Sequence, residues 1–546
     1  MKNLLRLLLV LTLSAGMALA MIPRVAEIPV PEADLNIGGI GNLVAGYDID
    51  GDGNKEIYLV NDNWNDGASE LIPRIYKLEY VPGSGEYEVV WSANAQDFAP
   101  AIIQNTWPAL AVADLDKDGK MELIWAIVNF TNTENANPYR VWVYEHAGGD
   151  NFGIQNPLTE KWEPNSVWTI VDEDNKNIRP ISMKVFDIDN DGTDELLLAS
   201  RASGMRIIIG SVTDIPDDGD GSETWTLEFS ELDLESYDGD NKWDVAIMNG
   251  DAYFFDEVVI SKVSHDGTNY VYSSMSPLPG GITFDCVQSV DVDGDGTEEM
   301  LGGEYYYGDA TRTIWLMQED GDTLKKTALF DLSVEQYLNG GRILGGAHGD
   351  IDIDENMDFI FGSRYSGPPN AMMFRVEYLG SGDIANPENW ELTIADTSDT
   401  SFAPGTSGMW NVISIGNMDA GPELEVVYTS SVPDAGVSFP IVMLDPGDFT
   451  GVRGLLTPRE FELGAAYPNP FNPTTVIPFT LNESARVTLS VFDVVGRNVA
   501  TLFTAERMEA GTHNVLFDGS HLSSGVYFYQ LKVDNTLRVG KMVLNK

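Results

Sequence analysis

A nine-residue acidic pattern, D-x-D-x-D-G-x-x-E, recurs along this chain, each time between two short apolar runs. The first copy contains Asp48, Asp50, Asp52, Gly53, Asn54 and Glu56. The second uses Asp114, Asp116, Asp118, Gly119, Lys120 and Glu122, and the third Asp187, Asp189, Asp191, Gly192, Thr193 and Glu195. A fourth full copy uses Asp291, Asp293, Asp295, Gly296, Thr297 and Glu299. The fifth, Asp350, Asp352, Asp354, Asn356 and Asp358, keeps its carboxylates but has Glu355 in the glycine position. Two degenerate copies stand at Asn249, Asp251 and Glu257 and at Asn417, Asp419, Gly421 and Glu425. The starting points are therefore 48, 114, 187, 249, 291, 350 and 417, spaced from 42 residues (249 to 291) to 73 (114 to 187). A period of this length marks an array of one supersecondary unit, which has to be recognised before any local reading.

The unit is a strand set. Leu110–Ala113, Met183–Phe186, Val287–Val290 and Val412–Ile415 precede the loop, and Ile57–Val60, Leu123–Ala126, Leu196–Ala199 and Phe359–Gly362 follow it. A third run comes next, as in Arg74–Leu78, Arg140–Tyr144 and Met373–Val376, and a fourth is visible at Tyr87–Trp91, Trp225–Phe229 and Trp390–Ile394. Nearly continuous apolar inner strands followed by alternating outer ones suit blades stacked face to face. Four strands in each of seven repeats, with no long helical period, predict an all-β fold: a seven-bladed β-propeller over residues 21–455. The last repeat lacks a fourth strand after Leu444, so the segment Arg24–Val30 is expected to close the ring there.

The loop chemistry points to calcium. Residues 1, 3 and 5 of each copy turn carboxylates inward, residue 7 offers its carbonyl oxygen, and the acid at position 9 can bind through two oxygens. Glycine at position 6 permits the sharp turn, as in the first half of an EF-hand loop but without flanking helices. Hard oxygen donors with no neighbouring His or Cys favour Ca²⁺ over zinc or copper, and a flexible ring suits it better than Mg²⁺. The metal-ligating candidates are thus the five sets of positions 1, 3, 5, 7 and 9 named above.

These repeats resemble the VCBS/FG-GAP family, the calcium-loop propeller repeats also found in integrin α-subunit heads. The likeness spans roughly residues 22–455 and implies a propeller whose acidic hairpins are stiffened by calcium, with ligands held elsewhere. A recurring Phe-Gly…Gly-Ala-Pro cage is missing, so the chain is nearer to the VCBS form.

The chain has 32 basic and 85 acidic residues, a net charge of −53. A field of that sign repels nucleic acid and anionic membrane surfaces. At the N-terminus, Lys2 and Arg6 flank the start of an apolar run, Leu4–Leu13, and the segment closes on Ala18-Leu19-Ala20. This is the pattern of a secretory signal over residues 1–20, too short to span a membrane. No later stretch reaches 18 consecutive apolar residues, so no transmembrane segment is expected. Cys286 is the single cysteine and reads as a small buried hydrophobe.

The character changes near residue 455. Residues 456–463 read as a linker, and from 464 to 546 there are 7 basic and 6 acidic residues. Short strand-like runs, among them Val487–Phe492, His513–Phe517 and Gly525–Leu531, predict a small Ig-like β-sandwich. The segments Tyr467–Thr475, Val491–Arg497, Gly511-Thr512, Leu522–Tyr529 and Lys541–Lys546 closely resemble, in order, the type A sorting domain of the type IX secretion system. That resemblance implies export across the outer membrane, with the secretion machinery as partner of residues 464–546.

No H-E-x-x-H, G-x-S-x-G or phosphate-binding glycine loop occurs, and the basic residues look dispersed. Five histidines are scattered; His348, two residues before Asp350, stands beside a predicted metal loop. Trp107, Trp243, Trp315 and Trp410 are of a kind that stacks on sugars, but their strand-like spacing favours packing between blades. Two function classes follow. One is a binding or adhesion protein of the cell surface that holds a protein or polysaccharide. The other is a secreted polysaccharide-degrading lyase or glycosidase, marked by basic side chains converging in one groove. Fold alone does not separate them.

Overall fold

In the computed structural model the chain divides into two compact units, Met1–Val452 and Arg453–Lys546. The structure describes most of residues 22–447 and 461–546. Outside the described residues are 1–21, 32–38, 63–70, 130–138, 305–311, 334–341, 365–371, 398–411, 431–439, 448–460 and stretches of one to five residues. The predicted signal segment and Trp410 are therefore not described.

The first unit is the predicted seven-bladed propeller. Its seven sheets are antiparallel and follow one another in chain order, with strands consecutive except in blade 2, where short strands at 151–163 precede the outer one, and in blade 7. Blade 1 consists of Ile40–Tyr47, Glu56–Asn61, Arg74–Val81 and Glu86–Asn94. In blade 7 the outermost position is taken by Arg24–Ile28, which pairs antiparallel with Ile441–Leu444. The chain's start thus closes the ring as expected. Arg24 strengthens the closure by donating from Nε to Asp396 Oδ2 at 2.6 Å in blade 6. Ala45 N–H donates to Ser414 Oγ at 3.1 Å, joining the first strand of blade 1 to that of blade 7.

The burial pattern explains why these segments are strands in this order. Every residue of the second strands Glu56–Asn61, Glu122–Ala126, Glu195–Ser200 and Glu299–Glu304 is buried, as a strand sandwiched between neighbouring blades has to be. The fourth strand of blade 1, Glu86–Asn94, alternates toward solvent. The core accordingly lies between blades. Tyr58, Val60 and Trp91 of blade 1 pack on Trp125 and Tyr144 of blade 2, and Ile124 and Val143 of blade 2 pack on Leu196 and Ile208 of blade 3. Cys286 is buried in the same manner, within the cluster shared by blades 4, 5 and 6. Among the described residues no helix is long and apolar enough to cross a membrane.

The second unit is a two-sheet sandwich. One sheet orders Phe461–Leu463, Thr474–Leu481 and Gly511–Asp518. The other orders Asn498–Met508, Ala485–Asp493, Gly525–Val533 and Thr536–Leu544. Phe479, Leu489, Val491, Tyr529 and Leu531 fill the space between them. Phe461–Leu463, read as linker from sequence, is an edge strand paired with Phe479–Leu481. Three residues are too few to show an alternating pattern.

Candidate metal centres and a basic face

Each acidic copy is the hairpin between the first and second strands of its blade. Its fold follows from three hydrogen-bond rules that the sequence pattern encodes. First, the position-1 aspartate accepts the N–H of position 6: Gly119 to Asp114 at 3.1 Å, Gly192 to Asp187 at 3.1 Å, Gly296 to Asp291 at 2.9 Å. Second, the position-5 aspartate accepts the N–H of position 7, as Lys120 to Asp118 at 2.8 Å and Thr297 to Asp295 at 2.8 Å. Third, the position-9 acid accepts the N–H of position 2: Leu115 to Glu122 at 2.5 Å, Ile188 to Glu195 at 2.9 Å, Val292 to Glu299 at 3.2 Å, Ile351 to Asp358 at 3.1 Å. That residue 2 is apolar and, in these four loops, buried, which anchors the loop to the core. One oxygen of the position-9 carboxylate is therefore spent on the backbone, and only the other turns to the loop.

Backbone conformation adds a feature that sequence reading missed. Position 4 is left-handed as well as position 6. Gly51, Lys117, Asn190, Gly294 and Ile353 have φ between 59° and 74°. Because five different environments put Gly, Lys, Asn or Ile there, composition hid the requirement. In the fifth copy Glu355 replaces glycine at φ 72°, a conformation that costs a side-chain-bearing residue about 1–2 kcal/mol.

The degenerate copy in blade 4 needs correction. Asp244–Met248 and Asp251–Phe255 are joined by a two-residue Asn249-Gly250 turn with φ 53° and 87°. This is the Asn-Gly hairpin geometry, which leaves no nine-residue loop. Asp251 begins the second strand, the place that Glu56 holds in blade 1, and Glu257 lies outside the described residues. In blade 7, Asn417 spends its amide on the Gly421 and Glu423 carbonyls at 2.6 and 3.3 Å.

Carboxylate oxygens of Asp114, Asp116, Asp118 and Glu122 lie within 4.8 Å of one another, as do those of Asp48, Asp50 and Glu56 and of Asp187, Asp189 and Glu195. Blade 2 provides the fit test for a cation. Asp114 Oδ1 and Glu122 Oε1 are buried with no hydrogen-bond partner, although Glu122 is 0% exposed. Burial first, then the neighbouring Asp116 and Asp114 charges, pushes the Glu122 carboxyl up to about 9. The same causes, led by burial, push Glu195 to about 8 and Glu299 to about 7. Two buried oxygens lacking a donor are what a hard dication would complete.

At the opposite end of blades 2 and 3 three arginines gather. Arg179 immediately precedes the first strand of blade 3, Pro180–Phe186, and Arg201 immediately follows its second, Glu195–Ser200. Arg201 N–H donates to the Arg179 carbonyl at 2.9 Å. The Arg201 guanidinium lies 3.9 Å from the Trp243 ring centroid and 5.9 Å from that of Trp107. Beneath them Arg140, fully buried, donates to Asn177 Oδ1 at 2.8 Å. Burial and then Arg201 lower Arg179 to about 10; burial and then Arg179 lower Arg140 to about 9. Residues 140, 179 and 201 look dispersed in sequence, and only the blade topology gathers them. Trp107 and Trp243 are buried and hold Arg201, while Trp315 packs into the core between blades 4, 5 and 6. At the same end of blade 1, Asp62 is completely buried with neither oxygen hydrogen-bonded.

His348 is bonded to the first strand of blade 5. Its Nδ1 lies 3.2 Å from Gln288 Oε1, and it lines a cavity of about 600 Å³ with Lys184, Ala246 and Val287 between the first strands of blades 3 to 6. Burial, then Lys184, lowers it to about 4.

Residues 465–545 match the family of secretion system C-terminal sorting domains. The tail is a sorting domain. It marks the protein for type IX secretion to the cell surface or the extracellular space, and the secretion machinery is its partner. No curated protein matches the chain. Among solved structures, the chain is similar to a fungal alcohol oxidase in complex with copper, at 11% identity over 93% of this chain and 100% of that one, TM-score 0.40. Drosophila semaphorin 1b, extracellular domains 1–2, aligns at 10% identity over 78% and 88%, TM-score 0.41. A quinonprotein alcohol dehydrogenase-like protein from Bacteroides thetaiotaomicron aligns at 11% identity over 87% and 94%, TM-score 0.29. Likenesses this distant bear on neither ligand nor chemistry.

Proposed function

We propose that this exported propeller is a calcium-braced binding module that takes an anionic polysaccharide on the face opposite its acidic hairpins. The observation that carries the reading is the pair Arg179 and Arg201, adjacent on one blade, with Arg201 held over Trp243 at 3.9 Å. A guanidinium fixed by an aromatic ring presents its planar fork to a carboxylate or sulfate with little ordering left to do. In a chain of net charge −53, this local excess of cations attracts anions against the overall field. Calcium supplies structure here rather than chemistry. The unpartnered oxygens of Asp114 and Glu122, and the likeness of the hairpins to VCBS/FG-GAP repeats, support it, with Asp116 and Asp118 completing the set in blade 2.

The second reading, a secreted polysaccharide-degrading enzyme, draws on the same converging arginines together with Asp62. Burial raises its proton affinity well above the ordinary carboxylate range, and it lies at the same end of the blades as the arginines. The test is a glycan array of uronate-bearing, sulfated and neutral polysaccharides, combined with a product assay on the same ligands. Binding to the acidic members, lost in Arg179→Ala and Arg201→Ala, supports the module. Equal binding to neutral glycans overturns it, and product formation that Asp62→Asn abolishes selects the enzyme.

A further inference from the structure

The third strands of the blades differ in charge at one register position beside the acidic hairpins. The position-9 acid opens the second strand, so the residue two places on has a fixed partner across the sheet. These pairs are Tyr58 with Lys77, Tyr253 with Lys262 and Ile360 with Arg375 in blades 1, 4 and 6. In blades 2, 3, 5 and 7 they are Ile124 with Val143, Leu197 with Ile209, Leu301 with Leu316 and Val427 with Met443. One register position therefore holds a base in three blades and an apolar side chain in four.

Each base reaches the carboxylates of its own hairpin. Lys77, 0% exposed, places Nζ 2.7 Å from Asp50, 3.1 Å from Glu56, 3.2 Å from Glu79 and 2.9 Å from Asp150. Arg375 lies 2.6 Å from Asp352, 2.5 Å from Asp358 and 2.8 Å from Glu377. Lys262 lies 2.6 Å from Asp251 and 2.9 Å from Glu319. All three contact the position-9 acid, and in blades 1 and 6 the position-3 aspartate as well. Those oxygens are the ones a dication would require. A fixed positive charge bonded to them both occupies the ligands and repels a second cation, strongly so where water is excluded.

The remaining loops differ. Among the described residues, no basic side chain is paired with Asp187, Asp189, Asp191 or Glu195 in blade 3, nor with Asp291, Asp293, Asp295 or Glu299 in blade 5. In blade 2, Lys120 turns outward to Glu145 at 2.6 Å and to Asp217, touching Asp118 at 3.2 Å. It leaves the inner oxygens Asp114 Oδ1 and Glu122 Oε1 unpartnered. We infer that Lys77 and Arg375 are built-in cations that replace the metal in blades 1 and 6, confining bound calcium to blades 2, 3 and 5. In blade 4 a two-residue turn has replaced the loop and Lys262 pairs with its one remaining acid. In blade 7 Asn417 stands in for the first aspartate and gives its amide to the loop's own carbonyls. The five loops expected from the sequence pattern thereby become three. The inference rests on the calcium reading above but is separable from it.

The test is a count of calcium ions on the mature full-length protein by equilibrium dialysis at saturating calcium. Three ions are expected. Five would overturn the division of labour while leaving calcium binding intact, whereas none would overturn the calcium reading itself. Two variants sharpen the count in opposite directions. Lys77→Met removes the built-in cation from blade 1 and should raise the count to four, with a thermal transition more dependent on calcium than that of the parent. Ile209→Lys places a base at the same register position in blade 3 and should lower the count to two. If Lys77→Met does not fold, Ile209→Lys alone decides: a count still at three overturns the inference.

Discussion

Replacing Glu122 with Gln isolates one acidic hairpin, and the structure sets the size of the effect. The folded carboxyl is pushed up to about 9, above the usual 4.5, with burial the leading cause. A carboxyl raised in this way contributes stability that is present below pH 4.5 and lost as pH rises toward 9. At pH 7 the loss covers roughly 2.5 pH units, or about 3 kcal/mol at about 1.36 kcal/mol per unit. Gln carries no charge, its carbonyl can accept the Leu115 N–H, and its amide can donate to the unpartnered Asp114 Oδ1. Glu122→Gln should therefore stabilise the calcium-free protein at pH 7 by up to about 3 kcal/mol. Calcium acts against that gain. For a dissociation constant on the order of 10⁻⁴–10⁻³ M, 10 mM calcium stabilises the parent by about 1.4–2.7 kcal/mol per site. The variant lacks this site, so its advantage should shrink by that amount. Urea unfolding of both proteins, with and without calcium, reads the difference directly. An identical gain in both media would refute an ion in blade 2.

Three further outcomes follow from particular residues. Asp62→Asn should stabilise the propeller by about 1–3 kcal/mol at pH 8, because the buried carboxyl is raised and unbonded, and the gain should shrink as pH falls and vanish only below about pH 3, where both states are protonated; denaturant midpoints across that range check it. Glu355→Gly, at φ 72°, should raise stability by up to about 1 kcal/mol, measured in the same way. Deleting residues 464–546 should leave the propeller inside the cell envelope, and its appearance in the culture medium or on the surface at parental levels would contradict the role of the tail.

The fold was largely legible because one short pattern repeats and its strands differ in kind. The ninth-position acid opens a strand buried on both faces, whereas Glu86–Asn94 alternates, and this contrast orders a blade without any structure. Even the closure by Arg24–Ile28 followed from a missing strand after Leu444. The metal loops were legible as donor sets and illegible as a balance of charge. Lys77 lies 27 residues from Asp50, and Arg375 23 residues from Asp352, so only the cross-strand register brings base and acid together. Blade 4 misled because Asn249 and Asp251 mimic the first half of a loop that a two-residue turn has replaced. The basic face stayed hidden for a similar reason. Arg140, Arg179 and Arg201 belong to two blades and share no local motif.

The most direct test of calcium bracing is the thermal or urea transition of the mature parent protein, made calcium-free and then returned to 10 mM calcium. Three occupied hairpins at about 1.4–2.7 kcal/mol each predict a gain of roughly 4–8 kcal/mol and a clear upward shift of the propeller transition. Coincident transitions in the two media would contradict it.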